Sequence, residues 1–341
     1  MSKDSLLGKT LAELQAIISE MKMPGFTAKQ IAEWLYKKRA CSFDDMTNIS
    51  VKHRNQLSEH YEIGCTSPID CQKSNDGTIK YLFRVNGEKC IESVYIPDKE
   101  RATLCISSQV GCKMNCLFCM TGKQGFSGNL TSGEIINQIQ SIPESEQLTN
   151  VVFMGMGEPL DNTTEVFKAI EILTASYGYA WSPKRITLST IGIKNEMDKL
   201  LNETDCHIAI SLHSPFPYQR LSLMPMEKVN PIKEILEQVK PFDFSKQRRL
   251  SFEYILFKGL NDSLVHAKEI AKMVSGIHCR VNLIRFHRIP DVDLESPDMA
   301  TIEQFQQYLN KRDIICTLRK SRGEDIFAAC GMLSSEKQTT E

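Results

Sequence analysis

The chain has 341 residues, 12 cysteines, and 41 Lys+Arg against 42 Asp+Glu, which gives a formal net charge of −1. A composition of 41% hydrophobic and 24% charged residues is that of an ordinary folded protein, and it excludes disordered, collagen-like and coiled-coil chains. The near-zero charge argues against a general polyanion binder, although locally grouped Lys and Arg can still contact phosphates.

The cellular compartment follows from what the sequence does not contain. No basic segment followed by an apolar one opens the chain, and no stretch reaches the ~20 apolar residues of a membrane span. We therefore expect a cytoplasmic protein without membrane contact. Since the sequence shows no sign of oligomer formation, we also expect a monomer. In a reducing compartment 12 cysteines do not predict a disulfide framework, and clustered ones favour a metal, a cluster or a catalytic thiol.

Residues 1–63 are predicted to form a small helical domain. Apolar residues at three- and four-residue spacing over 11–21 predict an amphipathic helix, and further helices are expected from Thr27 and over 51–60. The second helix ends in three cations at 37–39, which form either a basic patch or an ordinary solvated helix end.

Residues 64–98 are predicted to form a β-hairpin extension. Two strand-like runs, 78–85 and 90–96, flank Asn86-Gly87, which is a strong hairpin signal. A third apolar run over 101–107 begins the main domain, assigned to 99–333, and the polar tail 334–341 is predicted to be disordered.

The main domain alternates between apolar runs and segments of helical period. The apolar runs lie at 151–154, 186–189, 208–212, 252–257, 281–286 and 314–318. Helical segments are predicted between them, and Thr131 and Glu134 form a capping box that starts the first. Such β-α repeats predict an α/β fold with a parallel sheet, either an incomplete barrel or an open doubly wound sheet. In both, the site lies at the carboxyl ends of the strands.

The strongest chemical motif is a C-x3-C-x2-C run formed by Cys112, Cys116 and Cys119. It directly follows the apolar run at 101–107, and such closely spaced cysteines hold iron–sulfur clusters. Three ligands on a four-iron cluster leave one iron open for another molecule. The alternatives are zinc, which needs a fourth ligand, and plain buried thiols.

Weaker candidates follow other strands. Gly157-Glu158 lies in a Gly-rich turn where the carboxylate could accept from a ligand ammonium group, or the turn is an ordinary βα connection. Polar or turn residues also stand at or near the ends of later runs, at Ser189, Ser211-Leu212-His213 and Asn282, where caps and turns are the alternative.

Basic residues gather near the predicted site, at Arg248-Arg249, Arg285, Arg288 and 319–322, where phosphate binding and a solvated surface are both open.

The remaining cysteines have no ligand spacing, and an ordinary buried thiol is the default for each, including Cys105 and Cys330.

Taken together, these motifs resemble the radical S-adenosylmethionine RNA adenine methyltransferases, the RlmN/Cfr family. The resemblance spans nearly the whole chain and is strongest from Glu92 to Cys330. Its matching segments are 101–112, Phe118-Cys119-Met120-Thr121-Gly122, Gly157-Glu158-Pro159, 319–323 and Ala328-Ala329-Cys330-Gly331.

The resemblance implies an incomplete (β/α)6 parallel barrel and assigns roles to individual residues. Cys112, Cys116 and Cys119 would hold a [4Fe-4S] cluster. The site for S-adenosylmethionine, used twice per turnover, would comprise Gly157, Glu158, Ser189, Ser211, Leu212, His213 and Asn282. Cys330 would carry the methyl group as S-methylcysteine, Cys105 would form a disulfide with it as product leaves, and Glu92 would be a proton acceptor.

The implied reaction is methylation of C2 of a specific adenosine in 23S rRNA and of the adenosine next to the anticodon in tRNA. Residues 1–63 would be an RNA-binding accessory domain, and an electron donor such as flavodoxin or ferredoxin would reduce the cluster. Residues 283–288 carry more charge than in many members, which could shift RNA preference.

Three other functions remain open from the sequence. C8-methylation of the same rRNA adenosine uses the same machinery. A radical S-adenosylmethionine dehydrogenase or ligase would explain the cluster but would not need Cys105 and Cys330. A non-enzymatic zinc or iron–sulfur RNA-binding protein would carry no methyl group on any cysteine.

Overall fold

A computed structural model of the chain describes residues 3–85, 87–245 and 248–334. Its N-terminal part contains the three predicted helices, α1 (Leu11–Glu20), α2 (Thr27–Ala32) and α3 (Val51–His60), and α2 continues as one π-helical turn. Thr10 and Glu13 form a capping box that starts α1. The short parallel strands β1 (Asp4–Ser5) and β2 (Tyr61–Glu62) join the two ends of this part. Its buried apolar side chains belong to the same core as the main sheet.

The predicted hairpin is confirmed. Strands β4 (Ile79–Val85) and β5 (Lys89–Asp98) pair antiparallel, and β3 (Asp70–Lys73) adds an edge strand. Strand β3 was not predicted, because its residues are mostly exposed and polar and show no alternation of apolar and polar positions. The turn residue Asn86 lies outside the described residues.

The main sheet continues from this hairpin into parallel strands, as the apolar runs predicted. The remaining strands are β6 (Arg101–Cys105), β7 (Gln109–Gly111), β8 (Phe126–Asn129), β9 (Asn150–Phe153), β10 (Ile186–Thr190), β11 (His207–Ser211), β12 (Leu250–Leu256), β13 (Cys279–Arg285) and β14 (Ile315–Leu318). The order in the sheet is β14-β13-β12-β11-β10-β9-β6-β5-β4-β3, with all neighbours from β14 to β6 parallel. Strands β7 and β8 form a separate small pair.

Helices connect the parallel strands. They are α4 (Met120–Lys123), α5 (Ser132–Gln140), α6 (Thr163–Thr174), α7 (Lys194–Glu203), α8 (Pro217–Leu223), α9 (Ile232–Val239), α10 (Leu264–Met273) and α11 (Met299–Asn310). The predicted capping box is present, because the Glu134 amide donates to Thr131 Oγ1 at 3.2 Å and the Thr131 amide to the Glu134 carboxylate at 2.8 Å. Sequence periodicity missed α4 and α8, which are short.

The sheet curls into an incomplete barrel. Arg319, directly after β14, lies with its Nη1 3.3 Å from Sδ of Met154, directly after β9. These strands are five positions apart in the sheet, a separation of about 24 Å if it were flat. Strong curvature must therefore bring them together. Within the described residues β14 and β6 do not pair, so the barrel stays open on one side.

Two of the cysteines taken as ordinary thiols are paired. Cys41 and Cys65 form a disulfide, with Cα atoms 5.3 Å apart, which corrects the expectation for both. Residues 335–341, most of the tail predicted to be disordered, lie outside the described residues. No helix in the described ranges is long and apolar enough to cross a bilayer.

Candidate active site

The three motif cysteines line one cavity at the carboxyl ends of the strands. Its volume is about 150 Å³. The loop that carries them is anchored at both sides, since the Leu117 amide donates to the Leu223 carbonyl at 2.9 Å and the Met120 amide to the Gly331 carbonyl at 2.8 Å. Burial raises the pKa of Cys112 to about 12 and also raises the pKa of Cys116 and Cys119. Thiolates in this cavity therefore need a positive metal centre to stabilise them.

The chemistry of these donors fits an iron–sulfur cluster. Among the described residues no three His, Cys, Asp or Glu side chains are close enough to hold a single metal ion. In a zinc site every sulfur lies about 2.3 Å from one shared ion, so the sulfurs converge on a single point. The cysteines of an iron–sulfur cluster bind different iron atoms, so their sulfurs stand farther from one another. Three thiols that line one cavity match the cluster ligation that the motif predicts.

The Gly157-Glu158 turn closes the cavity beside β10. Gly157 has φ +100°, and a Cβ there would lie 2.6 Å from Cβ of Gln109, so only glycine fits. Both carboxylate oxygens of Glu158 are engaged, with Oε1 accepting from Thr190 Oγ1 at 2.5 Å and Oε2 from the Ile191 amide at 3.0 Å. Burial outweighs these bonds and raises the pKa of Glu158 to about 7. The Glu158 side chain, which the sequence offered to a ligand ammonium group, lines the cavity and fastens the turn to β10.

Ser189, Ser211 and His213 also line this cavity. His213 has φ +54°, accepts from the Ile255 amide at 3.0 Å through Nδ1, and packs edge-on against Phe118 of the cysteine loop. Burial and the nearby Arg220 lower its pKa to about 3, so the imidazole is neutral. Leu212 does not line the cavity. It is fully buried, and its carbonyl accepts from Arg220 Nε at 3.1 Å.

Asn282 is not among the residues that line the cavity, but it donates a hydrogen bond to Glu253, a lining residue that the sequence analysis did not identify. Ser211, Glu253 and Asn282 are paired in register on β11, β12 and β13, so their side chains share the inner face. Glu253 lines the cavity, and its Oε1 accepts from Asn282 Nδ2 at 2.8 Å. A lone carboxylate inside an apolar strand was the available signal, because such a group is rarely buried without a partner.

Cys105 and Cys330 meet in an adjoining cavity of about 380 Å³. Cys330 borders both cavities, and its side chain is exposed. Burial raises the pKa of both thiols, that of Cys105 to about 12, and the Arg319 guanidinium acts in the opposite direction on both. The structure thus places these two thiols, from distant parts of the chain, in the lining of one cavity.

Glu92 lies outside both cavities. Its Oε1 forms a buried ion pair with Lys80 Nζ at 2.9 Å, and its Oε2 accepts from the Ser334 amide at 2.9 Å. Burial raises its pKa, and Lys80 opposes that shift. The carboxylate therefore holds the segment that follows Cys330 against the sheet.

The second cavity lies on the open side of the barrel. It is bounded by β6 and by the segment after β14, and cations and a histidine line it: Arg101, His287, Arg319, Lys320 and Arg322. Arg248 and Arg249, expected near the mouth, instead precede β12 at the opposite end of the sheet. There Arg248 donates to the carbonyls of Leu200, Leu201 and Cys206, and Arg249 contacts His207.

Comparisons with known proteins decide the family. Residues 106–271 match the model of the Radical SAM superfamily, and residues 5–63 match the ribosomal RNA large subunit methyltransferase N-terminal domain. The chain is 61% identical over 339 residues to a probable dual-specificity RNA methyltransferase RlmN of Phocaeicola vulgatus, covering 99% of this chain and 97% of the relative. The chain belongs to the RlmN family.

Other RlmN relatives and a solved structure agree. The dual-specificity RNA methyltransferase RlmN of Sulfurimonas denitrificans is 42% identical over 357 residues, covering 99% of each chain. The crystal structure of a radical SAM methyltransferase from Sphaerobacter thermophilus superposes with a TM-score of 0.92 at 37% identity, covering 98% of this chain and 100% of that one. The α/β radical SAM fold is thereby confirmed, and membership of the superfamily implies S-adenosylmethionine and a [4Fe-4S] cluster.

Proposed function

We propose that this chain methylates RNA, at C2 of a specific adenosine in 23S rRNA and of the adenosine next to the anticodon in tRNAs, through S-methylcysteine at Cys330. The observation that carries the proposal is the position of Cys330, which borders both the cavity of the motif cysteines and the cation-lined cavity with Cys105. One thiol can therefore receive a group from the first cavity and deliver it in the second. The names of the relatives support RNA as the substrate.

The chain's residues suit the two thiol steps. Bound at Cys112, Cys116 and Cys119, the cluster would, with two molecules of S-adenosylmethionine per turnover, supply the methyl group and the one-electron chemistry that activates it. For the first transfer Cys330 must lose its proton, and Arg319 favours the thiolate. The sulfur then forms a bond to the methyl carbon as the sulfonium bond breaks.

Cys105 is proposed to release the product. Its thiolate attacks the Cys330 sulfur and the Cys105–Cys330 disulfide forms. The electron pair of the broken carbon–sulfur bond stays on the carbon attached to the base, which takes up a proton from solvent to become the methyl group. An external dithiol then reduces the disulfide. Glu92 is proposed as the proton acceptor in this sequence. Val94 pairs with Cys105, and Glu92 lies two residues before Val94 on the same strand. The side chains of Glu92 and Cys105 therefore face the same side of the sheet.

The RNA is proposed to enter on the open side of the barrel. The target base must leave its stack to reach Cys330, which costs a few kcal/mol, and the cations of the second cavity would hold the adjoining phosphates. The helical residues 5–63, which match a methyltransferase N-terminal domain, are proposed to bind RNA as well. The reductant would be a small electron-transfer protein such as flavodoxin or ferredoxin, and the enzyme a cytoplasmic monomer.

Mass spectrometry tests the methyl carrier. The protein with reconstituted cluster is incubated with S-adenosylmethionine bearing a deuterated methyl group and digested, and the peptide containing Cys330 is analysed. We expect one labelled methyl group on Cys330. An unmodified thiol would overturn the proposal. Cys71→Ser, which alters an exposed cysteine, is the control variant, and it should bind S-adenosylmethionine normally.

Mapping of the product then separates C2 from C8. Ribosomal RNA from the reaction is digested to nucleosides, and the methylated adenosine is identified by chromatography against both standards. We expect 2-methyladenosine, and 8-methyladenosine would instead assign the C8 activity.

A further inference from the structure

Glu253 is a buried carboxylate that the proposed mechanism does not use. It is 3% exposed and lies in β12 on the wall of the cavity that also contains the motif cysteines. A buried carboxylate is costly unless its oxygens are paired. Its hydrogen-bond partners therefore indicate whether it serves the fold or a ligand.

The two oxygens of Glu253 differ in this respect. Oε1 accepts two hydrogen bonds, from Ser251 Oγ at 2.9 Å and from Asn282 Nδ2 at 2.8 Å. Oε2 is fully buried and accepts no hydrogen bond from any described residue. Arg319 Nη1 lies 3.3 Å from Oε2, within ion-pair distance but not aligned for a hydrogen bond.

The surroundings fix the direction of this carboxylate. Asn282 is itself held, because its Oδ1 accepts from Thr317 Oγ1 at 2.8 Å. Glu253 is paired in register with Ser211 on one side and with Asn282 on the other. A carboxylate fixed through one oxygen, with its second oxygen lacking a donor beside a cavity, is prepared to accept from hydroxyl or ammonium groups of a ligand.

We infer that Glu253 is a further cofactor-binding residue, whose Oε2 accepts hydrogen bonds from the ribose hydroxyls of S-adenosylmethionine. The inference rests on the proposed use of that molecule by this cavity. A carboxylate facing vicinal ribose hydroxyls is the solution that dinucleotide-binding folds also use. Glu158, the other acidic group of the cavity, has both oxygens engaged, so Glu253 is the acidic side chain with an oxygen available.

The test measures affinity and not turnover. S-adenosylmethionine is titrated calorimetrically into the full chain with its cluster, under anaerobic conditions without reductant. Glu253→Gln keeps the size of the side chain and removes its charge. We expect affinity to fall about 10- to 100-fold, as for the loss of hydrogen bonds to a charged acceptor. Glu165→Gln, which alters a half-buried carboxylate on α6 outside the cavity, should bind as the wild type does.

Two analogues identify the group that Glu253 contacts. With 2′,3′-dideoxy S-adenosylmethionine the wild type should bind weakly, and Glu253→Gln should cause no further loss. If the substitution weakens this analogue as much as the parent molecule, the ribose contact is wrong. If its effect vanishes instead for an analogue without the α-amino group, Glu253 binds the ammonium group and the inference is overturned.

The outcomes separate this inference from the proposed function. Wild-type protein that fails to bind S-adenosylmethionine would defeat both. Wild-type binding with equal affinity in Glu253→Gln would defeat the role of Glu253 alone. Should Glu253→Gln fail to fold, as judged by its thermal transition, Glu253→Asp replaces it, and undiminished wild-type affinity for the dideoxy analogue would then overturn the inference.

Discussion

Two arginine–glutamate pairs, Arg220–Glu227 and Arg319–Glu253, differ in how fully the protein satisfies them. Arg220, on α8, is 1% exposed and pairs with Glu227. It also donates to the carbonyls of Ile191, Ser211 and Leu212, at the ends of β10 and β11. Arg319 and Glu253 both line the cavity. The Arg319 side chain is 34% exposed, and its Nη1 lies within ion-pair distance of Glu253 Oε2, which accepts no hydrogen bond from a described residue. The first pair is satisfied by the protein, and the second is not.

The difference separates structure from binding. Arg220 ties together the carboxyl ends of two strands and uses its donors within the protein, so we assign it to the architecture of the site. Glu253 has one oxygen that accepts no hydrogen bond from a described residue, and Arg319 favours the thiolates of Cys105 and Cys330, so we assign this pair to binding and reaction. Buried polar groups that the protein leaves partly unsatisfied are the ones to examine for function.

The largest predicted effect is on the satisfied pair. Arg220→Met should lower the free energy of unfolding by about 3–5 kcal/mol, because it leaves Glu227 buried without its partner. Urea denaturation followed by circular dichroism measures this loss. The double variant Arg220→Met/Glu227→Leu should lose less than the single variant, and an equal or larger loss would mean that the ion pair is not the source.

The next effect concerns the turn that carries Glu158. Gly157→Ala should destabilise the protein by about 2–3 kcal/mol, because Ala must adopt φ +100° and its Cβ would meet Gln109 at 2.6 Å. Gly259→Ala is the matched control, since φ is +68° there and no described atom lies within 4 Å of the added Cβ. Thermal unfolding should show about 1 kcal/mol for the control, and equal losses in both would exclude the contact with Gln109.

A smaller effect is a pH dependence from Glu158. Its pKa is about 7 in the fold against an ordinary value of 4.5, so the native state binds the proton more tightly than the unfolded chain. The free energy of unfolding should therefore fall by roughly 1–3 kcal/mol as pH rises from about 4.5 to 7. Above pH 7 Glu158 should cause no further change. Glu158→Gln should remove this component, as urea titrations at several pH values would show, and an unchanged slope would contradict the assignment.

The smallest effect on stability is expected from Arg319. Arg319→Gln should change the free energy of unfolding by about 1 kcal/mol or less, because the Arg319 side chain is partly exposed and the buried Glu253 keeps its hydrogen bonds from Ser251 and Asn282. It should raise the pKa of Cys330 and Cys105, whose thiolates it stabilises. Alkylation of Cys330 by iodoacetamide at pH 8, followed by mass spectrometry, should slow about 3- to 10-fold.

Arg322→Gln is the control for that experiment. Arg322 lines the same cavity but pairs with Asp98 at 3.2 Å. The control should leave the alkylation rate unchanged, and equal slowing in both variants would indicate a general effect of charge in the cavity.

Much of the fold was predictable because its signals are local. The alternation of apolar runs with helix-period segments predicted all six later parallel strands, and the 131–134 capping box predicted the start of α5. The C-x3-C-x2-C spacing likewise placed its three cysteines beside one another. Strands β1, β2, β3, β7 and β8 and helices α4 and α8 were missed, since elements of two to seven residues carry little periodicity.

The sequence by itself determined the α/β class, the cysteine motif and the family resemblance, because each depends on residues close together or on a fixed order of motifs. Only the tertiary structure decided that the sheet curls and stays open, that Cys105 and Cys330 line one cavity, that Cys41 pairs with Cys65, and that Glu253 lines the cysteine cavity. These relations join distant segments, and only the strand register and the curvature of the sheet bring those segments together.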